Sequence, residues 1–223
     1  MKPIFIEATT LSDAWFQALD AVMDHGRVWT VDHGSYIGQD RWELDYVTIH
    51  VKDPGARPLI PEIPPGLAIP PPVSDEYVED YLPYLMTDHR EPGEQYTYGE
   101  RLKPQMEEII RRYKKHGFGS NQECIAIAKP EDIMLDDPPC LRQIDTRIYK
   151  DECREGPATL HFVCYFRSWD LWGGFPANLA GIRLVQEYMA LEIGVEAGEM
   201  IVASKGLHIY DHAWDVAKIR TAR

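Results

Sequence analysis

Apolar positions set the first expectations. Ala14, Trp15, Ala18, Leu19, Val22 and Met23 recur at helical spacing, so a helix is predicted over 12–26, with Ser12 able to cap its start and Gly26 to close it. The β-branched and aromatic run over 42–51 predicts a strand after the turn-like Asp32, His33, Gly34 and Ser35. Prolines then crowd residues 53–72. Each removes a backbone donor and restrains the residue before it, so this stretch reads as an extended surface excursion wrapping its own domain.

Residues 75–86 and 100–116 carry helical patterns, the second through Leu102, Met106, Ile109, Ile110 and Tyr113, with Pro104 expected in its first turn. Strands are predicted over 124–128, 141–149 and 159–167, with a hairpin loop at 151–157. A long apolar helix over 177–193 follows, and short strands over 198–204 and 207–210 come near the end. Helices and strands interleave without regular βαβ repetition. The pattern predicts an α+β fold, a mixed or mostly antiparallel sheet packed with helices. A sheet face left uncovered by one short chain favours a homodimer.

At 223 residues and 44% hydrophobic composition the chain can bury one substantial core, so one domain over 1–223 is expected. The formal charge of −13 and pI near 5.0 argue against bulk binding to nucleic acid or an anionic membrane, both of which reward a cationic surface. The N-terminus lacks a signal-peptide pattern and no apolar run reaches spanning length, so a cytoplasmic protein is expected. Cys124, Cys140, Cys153 and Cys164 form no CxxC pair and read as free thiols. His208 and His212 lie four apart without a metal-binding context, so no metal is expected.

The densest chemistry lies at the predicted strand-to-helix junction from Phe166 to Asn178. Arg167 and Ser168 set a guanidinium fork beside a hydroxyl, a combination suited to a phosphate. Asn178 offers a donor and an acceptor, the pair that reads a uracil edge, although helix capping is an equally open reading. Cys140 follows Asp136, Asp137, Pro138 and Pro139, a stiff turn feeding a strand; beside a cation such as Arg167 its thiolate would be nucleophilic toward C6 of a uracil ring, whereas the bland alternative is a small buried hydrophobe. His208 and Tyr210 alternate on a strand and share a face, suitable for ribose hydroxyls or for a satisfied interior. Asp170 either orients a second substrate or caps the junction. Tyr98, next to Gly99, is a phenolic donor or an aromatic anchor.

These residues resemble the thymidylate synthase family, specifically its shorter archaeal-type members, over most of the chain. Arg167-Ser168-x-Asp170 with Gly174-x-Pro176-x-Asn178 is similar to the family's RSxDxxxGxPxN block, Pro139-Cys140 to its prolyl-cysteine, His208-x-Tyr210 to its HxY and Tyr98-Gly99 to its YG. The resemblance implies a thymidylate synthase-like fold in which Cys140 adds to C6 of dUMP. The methylene group of 5,10-methylenetetrahydrofolate, or of a related methylene-pterin, would then become the methyl of dTMP. It further implies Cys140, Tyr98 and Asp170 as catalytic residues. Arg167 and Ser168 would hold phosphate, Asn178 the uracil, His208 and Tyr210 the sugar, and Asp170 the pterin.

The chain departs from the family pattern in places. Where members carry an Arg pair that reaches a neighbouring subunit's phosphate, it reads Ser120-Asn121-Gln122-Glu123, and another phosphate Arg is replaced in the loop holding His33 and Gly34. His33, Arg41 or Arg142 would have to substitute. Leu141 stands where many members have His, the closing C-terminal segment of bacterial members is not matched, and Glu79 falls in the helix where the family's general acid is expected. The resemblance also admits a pyrimidine nucleotide 5-hydroxymethylase acting on dUMP, dCMP or CMP, or a noncatalytic nucleotide-binding homologue.

Overall fold

The computed structural model describes residues 1–63, 69–150 and 156–223. In chain order the elements begin β1 (Pro3–Ala8), α1 (Leu11–His25), β2 (Arg27–Thr30), β3 (Asp40–Glu43), β4 (Tyr46–Val51), α2 (Asp75–Met86), α3 (Tyr98–His116) and β5 (Cys124–Ala126). They continue with a 3-10 helix at Pro130–Met134, β6 (Leu141–Tyr149), β7 (Thr159–Phe166), β8 (Trp169–Asp170) and α4 (Gly174–Ile193). Last come β9 (Glu196–Ser204), β10 (Leu207–Tyr210) and α5 (Trp214–Arg220). The arrangement is α+β.

Two sheets carry it. The larger runs β1-β4-β9-β7-β6-β5, with β1–β4 and β7–β9 parallel and the other pairs antiparallel. The smaller runs β2-β3-β10-β8, and its β10 and β8 pair in parallel. The period of two decides which face of the larger sheet is covered. Leu160, Phe162, Cys164 and Phe166 of β7 are buried with Met200 and Val202 of β9, while Val163 and Ile201 point the other way and stay exposed. Helix α4 lies against the covered face and buries most of its residues, including Phe175, Leu179, Ile182, Val185 and Met189. It also meets α1, α2 and α3. That burial explains why its sequence is apolar around the whole helix instead of along one stripe.

Several expectations need correction. The strand predicted over 42–51 is two strands in different sheets: the chain leaves β3 after Glu43, passes buried Leu44, and enters β4 at Tyr46. Helix α1 is capped by the Thr10 hydroxyl, which accepts from the Asp13 amide, so Ser12 is not the cap. Helix α3 starts at Tyr98, two residues before the predicted start, capped by Thr97. Pro104 therefore falls beyond the first turn. Strands β1, β2 and β8, the 3-10 helices at Pro130–Met134 and Asp211–Ala213, and α5 were not expected from the sequence. The hairpin of β6 and β7 is present; most of its predicted loop, with Cys153, lies outside the described residues.

Within the described part of 53–72 there is neither helix nor strand. This excursion is nonetheless pinned to the body. Ile60 packs in a small cluster with Val78 and Ala180, and Arg57 makes a two-pronged contact with Glu187 of α4 at 3.0 and 2.8 Å.

Candidate active site

Cys140 sits at the entrance to β6, at the end of Asp136-Asp137-Pro138-Pro139, and β7 runs beside it. The Arg167 amide donates to the Cys140 carbonyl at 2.8 Å, which fixes the residue after β7 against the thiol-bearing one. Cys140, Arg167, Ser168 and Tyr210 line one cleft of about 770 Å³. Its opposite wall comes from the segment joining β2 to β3, through His33, Tyr36 and Ile37, and from Arg41 of β3. Pairing of β3 with β10 sets Arg41 opposite Tyr210. Of the three substitutes expected for the absent arginines, His33 and Arg41 line this cleft. Arg142 does not; it turns toward the Pro139 carbonyl at 3.3 Å and toward Asp132 at 3.6 Å.

Arg167 is folded onto the turn that carries the thiol. Its Nε donates to the Pro138 and Pro139 carbonyls at 3.1 and 3.2 Å, and a terminal nitrogen donates to Asp137 at 3.1 Å and to the Pro138 carbonyl. Burial pushes the Cys140 thiol above its ordinary value; Arg167 and Arg142 oppose that rise, and Asp137 adds to it. The expected stabilisation by Arg167 is present but outweighed. The thiol keeps its proton at neutral pH, and its nucleophilicity depends on the balance of those three charges.

The other expected site residues, Tyr98, Asp170, Asn178 and His208, are not among those that line this cleft. The Tyr98 hydroxyl accepts from the Leu141 amide at 3.2 Å. Its helix can approach because Gly99 lets the α3 backbone meet that of Thr87, where any Cβ would lie 2.0 Å from the Thr87 carbonyl oxygen. Asp170 uses its carboxylate on the start of α4, accepting from the amides of Trp172, Gly173 and Gly174 at 3.2, 3.0 and 2.8 Å. This favours a helix N-terminus electrostatically. His208 lies between Asp170 and Glu43 across three strands, nearly fully buried. Its Nδ1 contacts the Gly206 carbonyl at 2.8 Å, its Nε2 has no partner among the described residues, and the ring meets Tyr210 edge-on at 4.7 Å. Burial holds its pKa down at about 4, so it is a neutral imidazole.

Asn178 is the fifth residue of α4 and does not cap it. Its Oδ1 accepts from the Trp169 indole at 3.1 Å and its Nδ2 donates to the Tyr81 hydroxyl at 2.9 Å. Tyr81 belongs to a tyrosine wall beside the thiol that sequence reasoning missed. Desolvation raises the phenols of Tyr81, Tyr84, Tyr96 and Tyr98, and an ionised Cys140 would raise each further. Tyr77, Asp80, Tyr81, Tyr84 and Glu94 line a second hollow of about 350 Å³. A signal was available, since Tyr77, Tyr81 and Tyr84 are spaced to share one face of a predicted helix. Glu79 is exposed on that helix and lines neither cavity; the acids at the second hollow are Asp80 and Glu94.

The approach to the cleft rests on a buried ion pair. Arg101 of α3 clasps Asp132 with two bonds of 2.8 Å, donates to the Ile127 carbonyl and stacks over Tyr96 at 4.8 Å. Asp132 also accepts from the Lys129 amide. Among the described residues, Cys124, Cys140 and Cys164 are free, no cluster of His, Cys, Asp or Glu is placed to hold a metal, and no helix is long and apolar enough to cross a membrane.

The family model of thymidylate synthase matches residues 87–223. A protein of Methanosarcina mazei is 31% identical over 96% of this chain and 92% of its own length. One from Methanococcoides burtonii is 31% identical over 94% and 91%, and one from Methanothermobacter thermautotrophicus 28% identical over 92% and 93%. All three carry the name "Putative thymidylate synthase".

Proposed function

The chain belongs to the thymidylate synthase family, and on that premise we propose that it converts dUMP to dTMP by reductive methylation, with Cys140 as the nucleophile. The observation that carries this reading is the single cleft joining the Cys140 thiol to Arg167, Ser168 and Tyr210.

In this reading the nucleotide phosphate lies against Ser168 and the guanidiniums of Arg167 and Arg41, with His33 at the rim. Arg41 is already neutralised by Glu43 at 2.7 Å, and Arg167 by Asp137. Phosphate binding therefore exchanges one anion for another instead of placing a naked charge in the cleft. Tyr210 meets the sugar, and its edge contact with His208 fixes the ring. Asn178 reads the uracil, presenting one remaining N–H and one remaining lone pair. The Cys140 sulfur gives up its proton to solvent and bonds to C6, leaving C5 as the nucleophilic carbon; once C5 has taken the one-carbon unit it releases its hydrogen as a proton, the sulfur–carbon bond breaks, and the sulfur takes a proton back from solvent. Tyr98 holds the backbone on the far side of that sulfur.

The carbon donor fits 5,10-methylenetetrahydrofolate or a related methylene-pterin. The hollow of Tyr77, Tyr81 and Tyr84, edged by Asp80 and Glu94, offers ring faces and acceptors suited to a flat heterocycle rich in N–H donors. When bound, that carrier supplies the one-carbon unit and the hydride. Asp170, which the family resemblance assigns to the pterin, acts through the start of α4 that it anchors.

The protein works as a homodimer through the open face of its larger sheet. In support, Phe5, Val163 and Ile201 there are 65, 39 and 38% exposed, a patch that a second sheet would cover. It works as one domain, since one apolar core runs from Ile6 to Ala217.

Incubation with dUMP and methylenetetrahydrofolate, followed by mass measurement of the nucleotide, tests the reaction. A methyl gain is expected. A hydroxymethyl gain assigns the 5-hydroxymethylase chemistry instead, and dUMP binding without any gain assigns a binding protein. Cys140→Ala should still bind dUMP and lose exchange of the C5 hydrogen; normal exchange in that variant ends the covalent reading.

A further inference from the structure

Trp169 occupies the unspecified position of the Arg-Ser-x-Asp block, and nothing in that pattern gives it a task. An indole N–H can only donate, so the Asn178 atom 3.1 Å from it must be the carbonyl oxygen. The Tyr81 hydroxyl on the other side can either donate or accept. Of Asn178's two neighbours, therefore, one tolerates either orientation of the amide and the other tolerates a single one.

The donor is held rigidly. Trp169 is nearly fully buried, stacked on Phe166 at 4.3 Å and on Phe175 at 4.4 Å, and its backbone is paired with Leu207 of β10. It cannot swing aside for a turned amide. Tyr81 is placed as firmly, because its ring fills the space a side chain at position 181 would take; a Cβ on Gly181 would lie 3.0 Å from its Cδ1.

From this, resting on the reading of Asn178 as the uracil contact, we infer that Trp169 is the positioning residue that sets discrimination between uracil and cytosine, with Tyr81 as a nonselective anchor. Uracil offers a C4 carbonyl and an N3–H, which match the locked amide's free N–H and free lone pair. Cytosine offers an amino group and a bare N3, the reverse order, and meets a match only if the amide turns over. Turning it sets its NH₂ against the indole N–H, two buried donors face to face with no acceptor between them. The Tyr81 hydroxyl accommodates the turned amide by donating to it.

Trp169→Phe keeps an aromatic ring between Phe166 and Phe175 and removes the N–H. The dissociation constants of dUMP and dCMP, measured by calorimetry on the parent protein, Trp169→Phe and Tyr81→Phe, test the assignment. Trp169→Phe should narrow the preference for dUMP by about tenfold or more, mainly by tighter dCMP binding. Tyr81→Phe should weaken both nucleotides with the ratio unchanged. An unchanged ratio in Trp169→Phe, or a ratio that moves as far in Tyr81→Phe, overturns the inference.

A parent protein that binds neither nucleotide defeats the uracil reading itself. The clamp is then judged separately, on the Trp169 indole proton by NMR. Asn178→Ala should shift that resonance and speed its exchange with solvent, and an unaltered indole signal overturns the clamp without reference to any nucleotide.

Discussion

The hydroxyl of Tyr98 accepts the backbone N–H of Leu141 at 3.2 Å, tying the first residue of α3 to the residue directly after the thiol. Both groups are buried. Tyr98→Phe leaves a buried amide unpaired, at a cost of about 1–3 kcal/mol. The urea midpoint should fall accordingly, and turnover should drop more than dUMP affinity because the sulfur's position, not the phosphate grip, is disturbed. A loss of dUMP affinity with turnover unchanged would assign Tyr98 to binding.

The Arg101–Asp132 pair should behave as a structural keystone for the turn before Cys140. Removing Asp132 strands the buried Arg101 charge, and Asp132→Ala is expected to cost about 3–5 kcal/mol in chemical denaturation, whereas Arg101→Ala leaves Asp132 with Arg142 at 3.6 Å and should cost less. The Arg101 guanidinium holds the Asp132 carboxyl below its ordinary 3.8. Stability from this pair is thus fully present above that value and is lost as pH falls through the lower native one.

His208 adds acid sensitivity of the same sign in a higher pH window. Its native pKa of about 4 lies below the ordinary 6.5, so between those values the unfolded chain takes up a proton that the native fold refuses. Stability rises with pH across that window, by a few kcal/mol at most. His208→Gln should flatten the rise, checked by urea midpoints at about pH 5 and about pH 7.5.

Alkylation of Cys140 by iodoacetamide should inflect above the thiol's ordinary 9.0, because burial dominates. Asp137→Asn removes a nearby negative charge and should lower the inflection; Arg142→Gln removes a positive one and should raise it. The reverse order of the two variants would show that burial and charge have been wrongly apportioned.

Gly181→Ala ought to stabilise an ordinary helix by about 0.5–1 kcal/mol. Here a Cβ would come within 2.7 Å of Leu85 and 3.0 Å of the Tyr81 ring. Destabilisation is expected instead, with weaker dUMP binding as Tyr81 is pushed off Asn178. Thermal unfolding and nucleotide titration measure the two effects.

What the sequence disclosed followed from local rules. Helix α2 and strands β6 and β10 fall where periodicity puts them, since each buries one face and writes that face into its spacing. The division of 42–51 was hidden because only Trp42 and Glu43 of β3 fall within that run, and Leu44, at which the chain changes sheet, is buried as a strand residue would be. Strand β2 is exposed throughout and so carries no alternation to detect. The site showed the same split. Arg167, Ser168 and Cys140 were legible as chemistry, whereas the roles of Trp169 and Tyr81 depend on a contact spanning 97 positions between Tyr81 and Asn178.

The passage through Leu44 joins Arg41, on the cleft wall, to the covered and open faces of the larger sheet within a few residues. Leu44 also donates its amide to the Leu207 carbonyl at 2.9 Å, which holds the crossing residue against β10 of the smaller sheet. A single inserted residue at that crossing would turn β3 or β4 over, carrying Arg41 out of the cleft or the buried valines into water. Lineages carrying this fold should therefore accumulate indels in the proline-dense excursion and almost none at the crossing.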